Sequence, residues 1–245
     1  LGFAARQNYL IARLAQPTYV NVFMGRLNSF VADNGLGSGD YVGERATLAS
    51  QHALHLLRNT HNIHTGQIGA SFRAASQVRD LAGIDVMTMP PKVARGFLDM
   101  GIEPDELYNH SGETYTPGLN DDVDPRAVNL PTLWDIDDRL VACIDKAARQ
   151  DLDVMTPEDL VTFFAEHDCG DVLVNWTQDE ARRSAEEGKI PQLDNWKDDL
   201  ASGRIGLDAL MNLAGLNAFI ADQRAMDDRI REVLERGGSY TSQDR

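Results

Sequence analysis

The chain of 245 residues is poor in residue types that build crosslinked or nucleophilic sites. Its two cysteines, Cys143 and Cys169, have no metal-ligand spacing around them, which argues against a disulfide framework and a zinc site. The first lysine is Lys92, so strands predicted before it offer no amine nucleophile. No apolar run approaches the roughly 20 residues of a membrane helix, and we therefore expect a soluble cytoplasmic protein without a membrane partner.

Positive charge is also scarce, and the acidic residues are unevenly spread. Residues 1–100 contain nine Lys and Arg against six Asp and Glu, whereas residues 101–245 contain 14 against 32. A surface this acidic repels nucleic acid, so no nucleic-acid partner is expected. It also gives no long-range attraction to a small anion, which local groups must therefore capture.

Two short segments each end in an arginine beside small residues. Residues 21–26 read NVFMGR and residues 69–73 read GASFR. We interpret both as strand ends that neighbouring parallel strands bring to one edge of a sheet. There, the guanidinium groups of Arg26 and Arg73 and the hydroxyl of Ser71 provide forked donors for a phosphate. The pattern predicts a phosphosugar site.

Strands and helices alternate in the first 100 residues. Short runs rich in valine, isoleucine and small residues are followed by amphipathic segments, which is typical of β-α units and a parallel sheet. The predicted strands are 18–24, 67–73 and 85–89, and the predicted helices are 6–15, 44–59, 76–82 and 91–100. The glycine-rich residues 34–40 fit no phosphate-binding fingerprint and are predicted to be a loop connecting the first strand to the next helix.

The character of the sequence changes after residue 101. Four prolines among acidic residues and glycines predict irregular chain over 102–133. Beyond it the signals are helical. The predicted division is therefore 1–101 as an α/β part, 102–133 as a linker or insert, and 134–245 as a mostly helical extension.

Two other features are given no role in chemistry. His61 and His64 lie three residues apart, but no carboxylate or cysteine joins them at ligand spacing, so no metal site is predicted. Lys92 follows two prolines at the start of a predicted helix, where a noncatalytic lysine is expected.

Three of these segments together resemble the transaldolases, which are Schiff-base enzymes on a (β/α)8 TIM barrel. Residues 21–26 are similar to the family's sixth strand, 68–73 to its seventh and 83–90 to its eighth. Residues 219–230 are more weakly similar to its final helix. The resemblance implies an α/β fold of the (β/α)8 TIM-barrel type, of which this chain holds the last three β/α units, with a mostly helical C-terminal region.

The resemblance also implies roles for the residues of these blocks. Arg26, Ser71 and Arg73 would grip the substrate phosphate, Phe23 would line the site, and Asn21 would stand where the family usually has a serine. The implied reaction moves a dihydroxyacetone unit between sugar phosphates in the pentose phosphate pathway, with no metal or organic cofactor. Transaldolases are often dimers, so a homodimer stays open.

The family's nucleophilic lysine, on its fourth strand, has no counterpart in this sequence. The resemblance therefore implies that it lies upstream of residue 1, that the chain is part of a longer enzyme, and that the chain alone is inactive. Two alternatives stay open. One is a fructose-6-phosphate aldolase, which releases the three-carbon fragment, and the other is a noncatalytic phosphosugar-binding fragment or partner subunit.

Overall fold

Three short parallel strands form one sheet in the computed structural model, which describes residues 1–238. They are β1 (Tyr19–Phe23), β2 (Gly66–Ala70) and β3 (Val86–Thr88), in the order β1-β2-β3. The register pairs Phe23 with Ala70, and Ala70 in turn with Thr88. A mixed α/β architecture with a parallel sheet, as the alternating pattern predicted, is confirmed.

The helices of the first half have local causes at their ends. They are α1 (Ala5–Ala15), α2 (Met24–Asp33), α3 (Val42–His61), α4 (Ser76–Asp80) and α5 (Pro91–Asp99). Helix α1 stops where Gln16 adopts a left-handed conformation just before Pro17. Helix α5 begins with Pro91, whose fixed φ suits the first helical position and whose missing N–H costs nothing there.

The predicted ends of the first two strands are wrong. Strand β1 ends at Phe23 and β2 at Ala70, so Arg26 lies in the first turn of α2, and Arg73 lies three residues beyond its strand. The glycine-rich segment 34–40 was expected directly after the strand. It instead connects α2 to α3, because the chain turns into a helix as soon as β1 ends.

The second half is helical, as expected. Its helices are α6 (Asp138–Ala147), α7 (Pro157–Glu166), α8 (Gln178–Glu187), α9 (Lys197–Ala201) and α10 (Leu207–Gly238). Capping boxes start two of them: Thr156 with Asp159 at α7, and Thr177 with Glu180 at α8. Residues 239–245 lie outside the described residues. None of the described helices is both long and apolar enough to span a membrane.

Hydrophobic packing joins residues that are far apart in sequence. One buried cluster contains Val22 of β1 and Leu27 of α2 together with Trp196, Leu210 and Met211 from the helical half. The N-terminal part of α10 therefore shares a buried core with β1 and α2. The predicted division of the chain at residues 102–133 stays a prediction.

The two faces of β1 differ, and this difference positions the site. Val20 and Val22 are buried, 8% and 0% exposed, whereas Tyr19, Asn21 and Phe23 alternate with them and remain partly accessible. The accessible face leads, at the end of the strand, to the first turn of α2.

Candidate functional site

The two arginines and the serine predicted from the sequence converge on a glycine. A Cβ placed on Gly25 would lie 2.6 Å from Nε of Arg73 and 2.7 Å from Oγ of Ser71. Gly25 directly precedes Arg26, so the first turn of α2 lies against the segment that follows β2. Glycine is needed here because any side chain would push these two segments apart.

Arg26 is a buried cation that forms no salt bridge within residues 1–238. The residue is only 8% exposed, and its Nη1 atom has no hydrogen-bond partner among residues 1–238. Burial lowers the pKa of Arg26 below its ordinary value, the charge of Asp222 opposes this shift, and the charge of Arg73 adds to it. Arg73 and Arg26 therefore disfavour each other's charge.

Ser71 has an unusual backbone conformation. Its φ of 67° lies in the left-handed region, which residues other than glycine seldom adopt and which costs on the order of 1 kcal/mol. The residue directly follows β2 and is only partly exposed. Such strain persists where the surroundings impose it, and it is often found where a side chain must be held for binding.

A hydrogen-bond network fixes the segment that carries Arg73. The backbone N–H groups of Arg73 and Ala74 both donate to Oε1 of Gln77, at 2.7 and 3.0 Å. Gln77 donates to Oε1 of the buried Glu44 at 2.6 Å, and Asn28 of α2 donates to the other oxygen of Glu44 at 3.1 Å. The segment after β2 is therefore tied to α3 and to the helix that carries Arg26.

The two other predicted site residues lie at different distances from this centre. The Phe23 ring is 5.6 Å from Cζ of Arg26, within the range of a cation–π contact. Asn21 lies two residues earlier on the same face of β1 and lines a cavity of about 300 Å³ together with Tyr19 and Ile68. The structure therefore brings Phe23 to the arginine, whereas Asn21 faces a cavity that Arg26 does not line.

The residues excluded in the sequence analysis lie at the surface. Lys92 is exposed in the first turn of α5, and His61 and His64 are exposed around the end of α3. Within the described part of the chain, no group of three or more histidine, cysteine or acidic side chains could hold a metal ion.

Two residues of α10 act on Arg26 but were given no role from the sequence. The Phe219 ring lies 5.1 Å from Cζ of Arg26, and the charge of Asp222 acts on the same guanidinium. The only signal for them was the weak similarity of residues 219–230 to the final helix of the transaldolases, which named no site residue.

Comparison with known proteins identifies the family. The sequence model of the Transaldolase/Fructose-6-phosphate aldolase family matches residues 1–128, which contain all three strands, Arg26, Ser71 and Arg73. No match to the chain was found among curated proteins or among solved structures. The family match covers more than half of the chain, and its limits include the whole phosphate-site constellation predicted from the sequence. The chain therefore belongs to the transaldolase/fructose-6-phosphate aldolase family.

Proposed function

We propose that this chain forms the phosphate-binding part of a transaldolase-type active site. Arg26, Ser71 and Arg73 would hold the phosphate of a sugar phosphate while a dihydroxyacetone unit is transferred to an acceptor aldehyde. The observation that carries this proposal is the buried guanidinium of Arg26, whose Nη1 is unpartnered in the described chain and which lies beside a second arginine.

The electrostatics of the pair favour an anion as the missing partner. A buried charge without a counterion costs free energy, and a second cation nearby adds to that cost. A phosphate group carries about two negative charges at neutral pH and accepts several hydrogen bonds, so it would offset both costs. Neither Arg26 nor Arg73 forms a salt bridge with a carboxylate of residues 1–238, which leaves their donors free for this role.

The covalent chemistry requires a group that these strands do not carry. A Schiff-base lysine must be partly buried so that its amine is neutral near pH 7. Residues 1–91 contain no lysine, and the four lysines of the chain are all exposed: Lys92, Lys146, Lys189 and Lys197. We therefore assign the nucleophile to a lysine outside this sequence. Its amine would attack the ketose carbonyl, and retro-aldol cleavage would release an aldose phosphate.

A second activity is possible for this site, because the family also includes fructose-6-phosphate aldolases. In that reaction the three-carbon fragment is released instead of being transferred. Product analysis with and without an acceptor aldehyde separates the two reactions in an enzyme that contains the lysine. Phosphate capture by Arg26, Ser71 and Arg73 is common to both.

The phosphate role is tested with Arg73→Ala, because Arg73 is exposed and its loss should leave the fold intact. We expect the dissociation constant for fructose 6-phosphate, measured by calorimetry on the full chain, to rise about tenfold or more, since a charge-assisted hydrogen bond is lost. Binding of unphosphorylated fructose should not change. Arg95→Ala, at an exposed arginine of α5, is the matched control. Equal losses for both ligands would refute the phosphate role.

A further inference from the structure

Helix α10 reaches the Arg26 centre from the far end of the chain. Its Phe219 ring and the Phe23 ring of β1 both lie within 6 Å of Cζ of Arg26, at 5.1 and 5.6 Å. The two rings are 5.9 Å apart and inclined by 60°. The guanidinium is therefore in contact with two aromatic side chains whose positions in sequence differ by almost 200 residues.

Phe219 is less buried than the residues of α10 that belong to the hydrophobic core. On the same helix, Leu210 and Ala214 are fully buried, whereas Phe219 remains 41% exposed. The Phe219 ring is paired with the Phe23 ring, and the guanidinium of Arg26 lies over it. The contact with Arg26 is therefore made by a side chain that is only partly packed against the described chain.

Gly215, one turn before Phe219, allows α10 to approach this closely. A Cβ on Gly215 would lie 3.4 Å from Nη1 of Arg26, 3.2 Å from the Phe3 ring and 2.7 Å from Leu1. A side chain here would first clash with Leu1 and the Phe3 ring, whereas Nη1 of Arg26 lies at contact distance. The close approach places a helix backbone beside the same Nη1 atom that has no hydrogen-bond partner in the described structure.

We propose that Phe219 is a positioning residue of the phosphate site, acting through Arg26; this inference rests on the proposed function. Aromatic rings contact a guanidinium through its face, while the five N–H donors lie in its plane and stay available to an oxygen ligand. The rings of Phe219 and Phe23, both within cation–π distance of Cζ, would hold Arg26 without taking up its N–H donors in conventional hydrogen bonds. They also keep water from one side of the cation, which strengthens its attraction to an anion.

The proposal is tested with two variants of Phe219 in the full chain. Phe219→Leu keeps an apolar side chain but removes the ring, and Phe219→Tyr keeps the ring. We expect the dissociation constants for inorganic phosphate and for fructose 6-phosphate to rise about three- to tenfold in the leucine variant, which is the usual range for a partly desolvated cation–π contact. The tyrosine variant should stay within about twofold of the wild type.

Two further readouts separate positioning from a general effect on structure. Ile220→Ala is the matched control, because Ile220 is the next residue and is 45% exposed; phosphate affinity should not change in it. Binding of unphosphorylated fructose should be the same in all variants. Unfolding by urea should show similar midpoints, since Phe219 is far from fully buried.

The outcomes distinguish this inference from the function on which it rests. Wild-type affinity for phosphate in Phe219→Leu, or an equal loss in Ile220→Ala, would overturn the role of Phe219 and leave the phosphate site standing. A wild-type chain that binds neither inorganic phosphate nor fructose 6-phosphate would overturn both. Loss in the leucine variant with recovery in the tyrosine variant supports the proposal.

Discussion

Arg6 and Arg26 are two buried arginines of the same chain with opposite surroundings. They are 5% and 8% exposed. Arg6 donates from Nη1 to Asp171 at 2.6 Å and from Nη2 and Nε to Asp208 at 2.6 and 2.8 Å. Arg26 meets no carboxylate at such a distance within residues 1–238, only two aromatic rings. Burial alone therefore does not reveal what an arginine does, whereas its partners do.

The pKa shifts of the two groups show the same contrast. Burial disfavours the charge of Arg6, but Asp208 and Asp171 together raise the pKa of Arg6 above its ordinary value. For Arg26 burial prevails, and its pKa is lowered. Arg6 joins α1 to the start of α10 and to the segment before α8, so it is a structural crosslink. Arg26 is held in a state that an added anion would stabilise.

The largest expected difference between the two arginines is in the effect of their substitution on the free energy of unfolding. Arg6→Met should lower the free energy of unfolding by about 3–5 kcal/mol, because Asp208, which is 0% exposed, is left as an unpaired buried charge. Arg26→Met should change it by less than about 1 kcal/mol, since the lost cation–π contacts are offset by the removal of a buried, unpaired cation. Urea unfolding followed by circular dichroism measures both.

Phosphate affinity should respond to the same pair of variants. It should be lost in Arg26→Met, whereas wild-type affinity should persist in the folded fraction of Arg6→Met. Equal destabilisation by both substitutions would show that Arg26 is a structural residue after all, and the contrast between the two arginines would disappear.

Much of the fold could be predicted because its signals are local. A few neighbouring residues are enough to predict each of these helix ends: the end of α1 before Pro17, the start of α5 at its proline and the start of α7 at the capping residue Thr156. Helix α2 was missed because its start has no such signal. Phe23 forms no side-chain cap, and Met24 continues the apolar run of β1, so the strand pattern extends into the helix.

The residues of the candidate site also differ in whether local sequence could predict them. Arg26, Ser71 and Arg73 follow short strands with a family resemblance, so their role could be proposed from the sequence. Phe219 could not be given a role, because no local pattern indicates which residue a distant helix will meet. The pairing of Arg6 with Asp208, 202 residues apart, was equally invisible. Contacts of this kind are fixed by tertiary packing alone.

A smaller effect is expected from Ser71, whose strain the proposed phosphate site would explain. Ser71→Gly should raise the free energy of unfolding by about 0.5–1 kcal/mol, because glycine adopts a φ of 67° without steric cost, minus its greater freedom in the unfolded chain. Phosphate affinity should fall at the same time, because the hydroxyl is lost. The measurements are urea unfolding and calorimetric titration with inorganic phosphate.

The control for Ser71 is Gln16→Gly, at an exposed position with a φ of 46° at the end of α1. It should give a similar gain in stability with no change in phosphate affinity. If Ser71→Gly bound phosphate as tightly as the wild type, the strain at Ser71 would have no connection with binding.

The smallest expected effect is the change in phosphate affinity when the acidic residue that acts on Arg26, Asp222, is neutralised. Asp222 is exposed, and its charge favours the cationic form of Arg26 from a distance, whereas Asp171 and Asp208 bind Arg6 directly. An anion at Arg26 would be repelled by Asp222. Asp222→Asn should therefore tighten phosphate binding about twofold at low ionic strength, which is the scale of an exposed charge interaction. The gain should vanish at about 1 M salt.

Asp228→Asn makes the same change in net charge further along α10, at an exposed residue that pairs with Arg231 at 2.6 Å. It should leave phosphate affinity unchanged, which separates the local charge of Asp222 from the acidity of the whole chain. Weaker phosphate binding in Asp222→Asn would mean that this carboxylate holds Arg26 in place, as Asp208 holds Arg6. The two buried arginines would then both be held by a carboxylate, and they would differ only in how strongly that carboxylate binds them.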